Sequence, residues 1–223
     1  MSNLLNLDAL DADGAIRESA EAAGLDRSAF LKKGVLAGGG LIAGSAMFGT
    51  YLSSAEAAIS KKRSKRNDVK ILNYALTLEF LEAAFYKQAV ANQAFGNSAP
   101  LKQFAEVVAD HEAKHVTFLK KALGSAAIKS PTFDFGDAVT DQAKFAATSQ
   151  VLEDTGVSAY LGQVANISQT KVLSAAGTIA TVEARHAAWI RFINGVIPAP
   201  ADFDNPKSEK AILKAVGATG FIK

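Results

Sequence analysis

The sequence predicts an all-α protein whose centre is an up-down four-helix bundle. Apolar residues recur with the 3.6-residue period of an amphipathic helix in four segments, at 67–95, 100–124, 140–167 and 169–195. The connections between these segments are short, long and short, which is typical of a bundle with one long crossover between its second and third helices. The chain also has only five prolines in 223 residues, which favours helices.

Turn-forming residues mark the ends of the four segments. Residues 96–100 form a short first turn, in which Pro100 suits the first position of the next helix. The long crossover runs from Gly124 to Val139, and Gly195 and Pro198 end the fourth segment. The tail is predicted to hold one more short helix near residues 208–217. We therefore divide the chain into a leader at 1–57, a basic linker at 58–66, the bundle at 67–195 and a tail at 196–223.

Residues 1–57 differ in character from the bundle. An acidic leader is followed by residues 34–52, which carry no charge and include six glycines. Residues 27–32, with the sequence RSAFLK, stand just before this apolar stretch, and residues 55–57, AEA, follow it as a small-x-small cleavage pattern. This order resembles a twin-arginine export signal, with Ser28 in the place of the second arginine.

The leader therefore predicts a protein that is exported to the periplasm or anchored in a membrane through residues 34–52. If that stretch stayed in the membrane, the basic linker would hold the bundle on the cytoplasmic side. The alternative is a cytoplasmic protein whose apolar segment docks on the bundle or on a partner.

Composition excludes several classes of site. The chain has no cysteine, which excludes disulfides, thiolate zinc sites, cysteine-ligated iron–sulfur clusters and a rubredoxin-like module. Its net charge of +2 gives no reason to expect a nucleic-acid partner.

Every helix of the predicted bundle carries an acidic residue or a histidine in its apolar face or at the edge of it. Buried charges without a partner would each cost several kcal/mol, and a cation is the simplest way to neutralise them. The residues concerned are Glu79 in the first helix, Glu112 and His115 in the second, Glu153 in the third, and Glu183 and His186 in the fourth.

The spacing of these residues repeats in the two halves of the chain. Glu79 precedes Tyr86 by seven residues, and Glu153 precedes Tyr160 by seven, so that each pair shares one helix face. A glutamate likewise precedes a histidine by three residues at 112–115 and again at 183–186, which places the two side chains next to each other. Four glutamates and two histidines brought to one place form a ligand set for two metal ions.

Two stretches carry a family resemblance. Residues 72–86 read LNYALTLEFLEAAFY, and FDFGDAV at 133–139 precedes VLEDTG at 151–156. With these motifs, residues 67–195 resemble the ferritin-like superfamily of di-iron carboxylate proteins, in particular its bacterial, desiccation-related branch.

The resemblance implies a site and an activity. Glu112 and Glu183 would bridge two metal ions, Glu79 and Glu153 would be terminal ligands, and His115 and His186 would be imidazole ligands. Tyr86 and Tyr160 would be nearby hydrogen-bonding or redox tyrosines and are the candidate catalytic residues. Iron is the expected metal, with manganese as the alternative. The expected activity is oxidation of Fe(II) by O2 or H2O2, in an oxidoreductase or iron-handling stress protein.

Other interpretations stay open. Residues 111–115 match the zinc-protease pattern His-Glu-x-x-His, although that pattern leaves Glu79, Glu153 and both tyrosine spacings unexplained. His111 is otherwise a packed core histidine or a neighbour of the ligands. The remaining alternatives are a metal-free bundle, a structural or desiccation-protective bundle in which metal only stabilises the fold, and an enzyme like manganese catalase.

A second apolar stripe on the first helix has two interpretations. It is either core beneath the tail or the interface of a homodimer. Its members are Leu78, Leu81, Phe85 and Ala89.

Overall fold

The computed structural model describes residues 58–223, so the predicted export signal and the apolar segment at 34–52 lie outside the described residues. Residues 58–198 and 206–223 belong to one compact unit, which holds all the elements below, and residues 199–205 fall outside it. Five α-helices make up most of this unit: α1 Lys65–Ala91, α2 Ala99–Leu123, α3 Gln142–Gln163, α4 Thr170–Ile193 and α5 Glu209–Thr219. Between residues 58 and 223 there is no strand, only one isolated β-bridge from Phe133 to Ile222.

Side chains in the sequence set where these helices begin. A serine or aspartate at the N-cap accepts a hydrogen bond from a backbone N–H of the first turn in four of them, namely Ser64, Ser98, Asp141 and Ser208. The N-cap of α4, Gln169, makes no such bond. The buried carboxylate of Asp68 on α1 instead accepts from the N–H groups of Ser168 and Gln169, just before the first turn of α4. This bond fixes the start of α4 against α1.

The four long helices pack as a bundle. α1 packs along α2, α3 packs along α4, and the two pairs meet through α1 with α3 and α2 with α4. Residues 124–141 join α2 to α3 and contain two short 3₁₀ turns, at Gly124–Ala126 and Gly136–Val139. The all-α class predicted from the sequence is confirmed.

The first helix ends earlier than its apolar pattern predicts. The pattern continues to residue 95, but α1 ends at Ala91. Gln93 and Gly96 both adopt a positive φ of 54°, which turns the chain and returns Ala94 and Phe95 to the core. Hydrophobic periodicity alone did not distinguish this buried turn from a continuation of the first helix.

The second apolar stripe of α1 is core. Leu78, Leu81, Phe85 and Ala89 are all buried, in one cluster with Ile212 and Val216 of α5 and with Ile222. The stripe and the tail therefore belong to one hydrophobic core. None of the helices between residues 58 and 223 is long and apolar enough to cross a membrane.

Candidate metal centre

The structure brings the six predicted ligands into one buried cluster in the middle of the bundle. Each comes from a helix whose start and packing are described above: Glu79 from α1, Glu112 and His115 from α2, Glu153 from α3, and Glu183 and His186 from α4. The four glutamates are wholly buried. The side chain of His186 is 3% exposed and that of His115 is 12% exposed, so the cluster approaches solvent on the His115 side.

One set of donor atoms surrounds His115. Its Nδ1 lies 3.0 Å from Oε1 of Glu183, 3.1 Å from Oε2 of Glu112 and 3.3 Å from Oε2 of Glu79. One donor atom from each of these four residues lies within 4.8 Å of the others. We call this the His115 set.

A second set surrounds His186. Its Nδ1 lies 3.1 Å from Oε1 of Glu112, 3.3 Å from Oε2 of Glu153 and 3.6 Å from Oε2 of Glu183. Its four residues also offer donor atoms within 4.8 Å of one another. We call this the His186 set.

The two sets share two carboxylates. Glu112 and Glu183 each direct one oxygen to the His115 set and the other oxygen to the His186 set. Glu79 belongs only to the first set, and Glu153 only to the second. Carboxylates that divide their oxygens in this way could bridge two cations, and each cation would have one further glutamate and one histidine available to it.

Unpaired polar atoms show that the cluster fits metal ions. A single imidazole N–H cannot donate to three carboxylates at once, and most of these short contacts lack hydrogen-bond geometry. The buried atoms without a hydrogen bond include Oε2 of Glu79, Oε1 of Glu112, Oε2 of Glu153, both carboxylate oxygens of Glu183 and Nδ1 of His186. Each such atom costs about 1–3 kcal/mol unless something else satisfies it. Divalent cations would do so, and a mixed set of carboxylate and imidazole donors suits iron, manganese or zinc.

Electrostatics indicate what balances the charge when no cation is bound. Burial and the neighbouring carboxylates raise the pKa of Glu79 well above its usual range, and burial raises that of Glu153 to about 8. Burial alone would lower the pKa of His115 and His186, but their carboxylate contacts raise both to about 12. Protons on histidines and glutamates therefore compete with cations for the same atoms.

Glu112 differs from Glu79 and Glu153 in the direction of its pKa shift. Burial acts to raise its pKa, but the contacts from His115 and His186 outweigh burial and hold the pKa at about 2. It stays ionised, as a residue shared by both sets should.

The two tyrosines bind the outer oxygens of the terminal glutamates. The Tyr86 hydroxyl on α1 donates to Oε1 of Glu153 on α3, and the Tyr160 hydroxyl on α3 donates to Oε1 of Glu79 on α1. Burial, together with the adjacent negative charge, raises the pKa of both phenols well above 10, so both remain hydrogen-bond donors. Each tyrosine thus orients a carboxylate whose other oxygen belongs to a donor set. Their catalytic role stays a prediction.

His111 lies outside both sets. Its Nδ1 is 2.9 Å from Nε2 of His186, the ring nitrogen that faces away from the carboxylates. In a zinc protease both histidines of His-Glu-x-x-His would hold the same ion, whereas His111 contacts another histidine instead. A hydrogen bond to the outer nitrogen of a ligand fixes the orientation of the ring, so His111 would orient His186 if His186 held a metal ion.

Sequence reasoning left one buried carboxylate unassigned. Glu82 on α1 is only 3% exposed, although the helical periodicity places it beside the apolar face. A Cβ atom built at Gly156 of α3 would lie 3.3 Å from Oε1 of Glu82 and 3.7 Å from Oε2 of Glu183, so Glu82 reaches the cluster across this glycine. The signal that could have found it is the repeat itself, because Gly156 follows Glu153 by three residues, as Glu82 follows Glu79.

Comparisons with known proteins agree with this architecture. A family model described as a ferritin-like domain matches residues 67–195, which is more than half of the chain. No curated protein matches the chain. With its helical bundle and its buried carboxylate and histidine cluster, the chain belongs to the ferritin-like domain family.

Proposed function

We propose that this protein holds two iron ions in the cluster and oxidises Fe(II) with O2 or H2O2. The observation that carries the proposal is the division of the Glu112 and Glu183 oxygens between the two donor sets. A site for a single ion would not need two carboxylates that each direct one oxygen to one donor set and the other oxygen to the second set. The preference for iron rests on the donor set, which also accepts manganese.

Reduction of H2O2 to water, or of O2 to H2O2, requires two electrons from adjacent donors. A pair of ferrous ions, when bound, supplies two electrons, which with two protons reduce H2O2 to two water molecules or O2 to one H2O2. The residues of the chain do the rest: Glu112 and Glu183 keep the two positions adjacent, and Glu79 and Glu153 supply one terminal carboxylate each. Four carboxylates against two imidazoles also favour the more highly charged ferric state.

The surroundings of the cluster support a defined route for reactants. His186 is enclosed by His111 and by the helices, whereas His115 keeps 12% of its side chain exposed. We propose that metal ions and the oxidant reach the cluster past His115. The hydroxyl groups of Tyr86 and Tyr160 donate hydrogen bonds to Glu153 and Glu79 from the buried side of the cluster. These phenols therefore lie next to the carboxylates that would bind the redox-active metal ions.

Stopped-flow spectroscopy of the metal-free protein tests the activity. Fe(II) added anaerobically and then mixed with O2 or H2O2 should be oxidised faster than in buffer. Glu112→Gln keeps the size of the side chain but removes its charge, and it should abolish the gain. Glu106→Gln, an exposed position on the same helix, is the matched control. Equal rates for Glu112→Gln and wild type would show that the cluster does not carry the oxidation.

The alternatives differ in measurable ways. A structural or desiccation-protective bundle would bind metal and gain thermal stability without faster oxidation. An enzyme like manganese catalase would be isolated with manganese and would convert H2O2 to O2. Elemental analysis of protein purified from its own host, followed by both assays, separates these functions.

We also propose a location and a setting for this activity. The order of charges and apolar residues in the leader supports export to the periplasm or anchoring in the membrane, in an iron-handling or desiccation-related stress role. Cell fractionation should find the bundle outside the cytoplasm or in the membrane, and deletion of residues 1–57 should return it to the cytoplasm.

A further inference from the structure

The two halves of the cluster follow one pattern of glutamates and tyrosines on α1 and α3, and one buried difference between them introduces an additional carboxylate. Glu79 and Tyr86 correspond to Glu153 and Tyr160, and each tyrosine binds the glutamate of the other half. Three residues after each glutamate, however, the first half has Glu82 and the second half has Gly156.

The glycine makes room for the extra carboxylate. Any residue other than glycine at position 156 would place its Cβ atom 3.3 Å from Oε1 and 3.8 Å from Oε2 of Glu82. That contact is closer than ordinary van der Waals packing, so Glu82 would have to shift by a few tenths of an ångström. The same Cβ atom would lie 3.7 Å from Oε2 of Glu183, the oxygen that Glu183 directs to the His186 set. Glu82 therefore lies on the His186 side of the cluster.

Electrostatics agree with this placement. Burial raises the pKa of Glu82 well above its usual range, and among the charges that add to the effect, those of Glu183 and Glu153 come first. Both residues belong to the His186 set.

A second departure from the pattern favours the same side. His111 precedes His115 by four residues and bonds the outer nitrogen of His186, whereas the residue four before His186 is Val182. The outer nitrogen of His115 receives no such support from the described residues. The His186 set thus has an oriented histidine and a nearby fifth carboxylate, and the His115 set has neither.

We propose that Glu82, which lies outside both donor sets, is a fifth carboxylate beside the metal centre whose negative charge favours the cation position formed by Glu153, Glu183 and His186. This position then binds its cation more tightly than the His115 position. The inference rests on the proposed two-metal function and adds an order of filling to it. The His186 position fills first and keeps its ion, and the His115 position exchanges its ion with solvent.

Anaerobic calorimetric titration of the metal-free full chain with Co(II) tests the inference without any catalytic readout. Wild type should bind two ions in two separable steps. Outer partners of metal sites contribute about 10- to 100-fold in affinity, so Glu82→Gln should weaken the tighter step by at least about tenfold and leave the weaker step unchanged. Glu153→Gln should weaken the same step as Glu82→Gln, and Glu79→Gln the other one.

Gly156→Ala gives an independent test, because it leaves Glu82 in the sequence but crowds its carboxylate. It should weaken the same binding step as Glu82→Gln, by a smaller factor. Alanine is a better helix former than glycine, so α3 is retained. Gly177→Ala on α4, where an added Cβ would meet nothing within 4 Å, and the exposed Glu106→Gln are matched controls that should behave like wild type.

The outcomes are distinct. Two-step isotherms for Glu82→Gln and Gly156→Ala that match wild type would overturn the role of Glu82 and leave the two-metal proposal intact. A wild-type chain that binds fewer than two ions would overturn the proposed function itself.

Discussion

The carboxylate cluster and the aromatic layer beside it are buried equally well on the same helices, yet they are stabilised in opposite ways. The aromatic layer consists of Phe85, Phe104 and Phe145, which are all wholly buried. Phe85 stacks on Phe145 with ring centroids 5.5 Å apart, and Phe104 meets Trp189 edge to face at 5.4 Å. The cluster instead holds several buried polar atoms without a hydrogen bond. Tyr86 joins the two regions, with its ring against Phe104 and its hydroxyl on Glu153.

The difference separates what the bundle needs to fold from what it needs to function. Aromatic packing gains its free energy from apolar burial and depends on neither ligand nor pH. The cluster places like charges together at low dielectric and depends on protons or cations to balance them. Experiments that change metal, pH or a single side chain should therefore affect one region and spare the other.

Metal addition should give the largest effect. A ligand that binds only the folded state stabilises it by about 4 kcal/mol at a thousandfold excess over Kd, and two ions would roughly double this. Urea unfolding of the metal-free protein with and without Mn(II) should show the gain, which Glu112→Gln should lose. An equal gain in Glu112→Gln would mean that the metal binds elsewhere.

Truncation in the aromatic layer should come next. Phe145→Ala removes a wholly buried ring and should lower the free energy of unfolding by about 3–5 kcal/mol. Because no cation is involved, the loss should be the same in metal-free and metal-loaded protein, measured by the same urea unfolding. A loss confined to the metal-loaded protein would contradict this prediction, because it would show that the contribution of the aromatic layer depends on metal binding.

The pH dependence should have opposite signs in the two forms. In the metal-free protein Glu153 has a pKa of about 8, so the folded state keeps a proton that the unfolded state loses above about pH 4.3. The free energy of unfolding should therefore fall as the pH rises from about 4.3 to 8. His115 and His186, with pKa values of about 12, extend this fall above about pH 6.5.

The metal-loaded protein should become more stable over the same range, since protons that would displace the cations become scarce. Thermal melts of both forms between about pH 5 and pH 8 check the prediction. Coincident curves would mean that these carboxylates hold no metal.

The smallest effects should come from the tyrosine hydroxyls. Tyr86→Phe and Tyr160→Phe each remove one hydrogen bond to a terminal glutamate and should cost about 0.5–1.5 kcal/mol. Tyr74→Phe is the matched control, because the buried Tyr74 hydroxyl has no hydrogen-bond partner in the described part of the chain and its removal should be neutral or stabilising. Urea unfolding ranks the three variants, and a Tyr74→Phe loss as large as the others would contradict the assignment.

The helices and six residues of the cluster were predictable because both depend on fixed periods. Caps such as Ser98 and Asp141 lie close to where the apolar pattern starts, and the repeated spacings place Glu79 and Glu153 on inward faces. Periodicity does not reveal how far a side chain reaches or how much space faces it. For this reason the sequence did not predict that Glu82 lies beside the cluster, since its place there depends on the small size of Gly156 on another helix.

Helix ends were the other part that the sequence left undetermined. Val164 fits the inward stripe of the third helix, but α3 ends at Gln163 and a 3₁₀ turn leaves Val164 exposed. A change in helical pitch rotates every following side chain, and no residue type in this stretch marks the change.

The central claim is that Glu112 and Glu183 hold two cations between them. A crystal structure of the full chain loaded anaerobically with Fe(II), with anomalous scattering measured at the iron edge, tests it most directly. We expect two iron peaks about 3.5–4 Å apart, one in contact with Glu79 and His115 and the other with Glu153 and His186. A single peak, or iron bound only away from these residues, would contradict it.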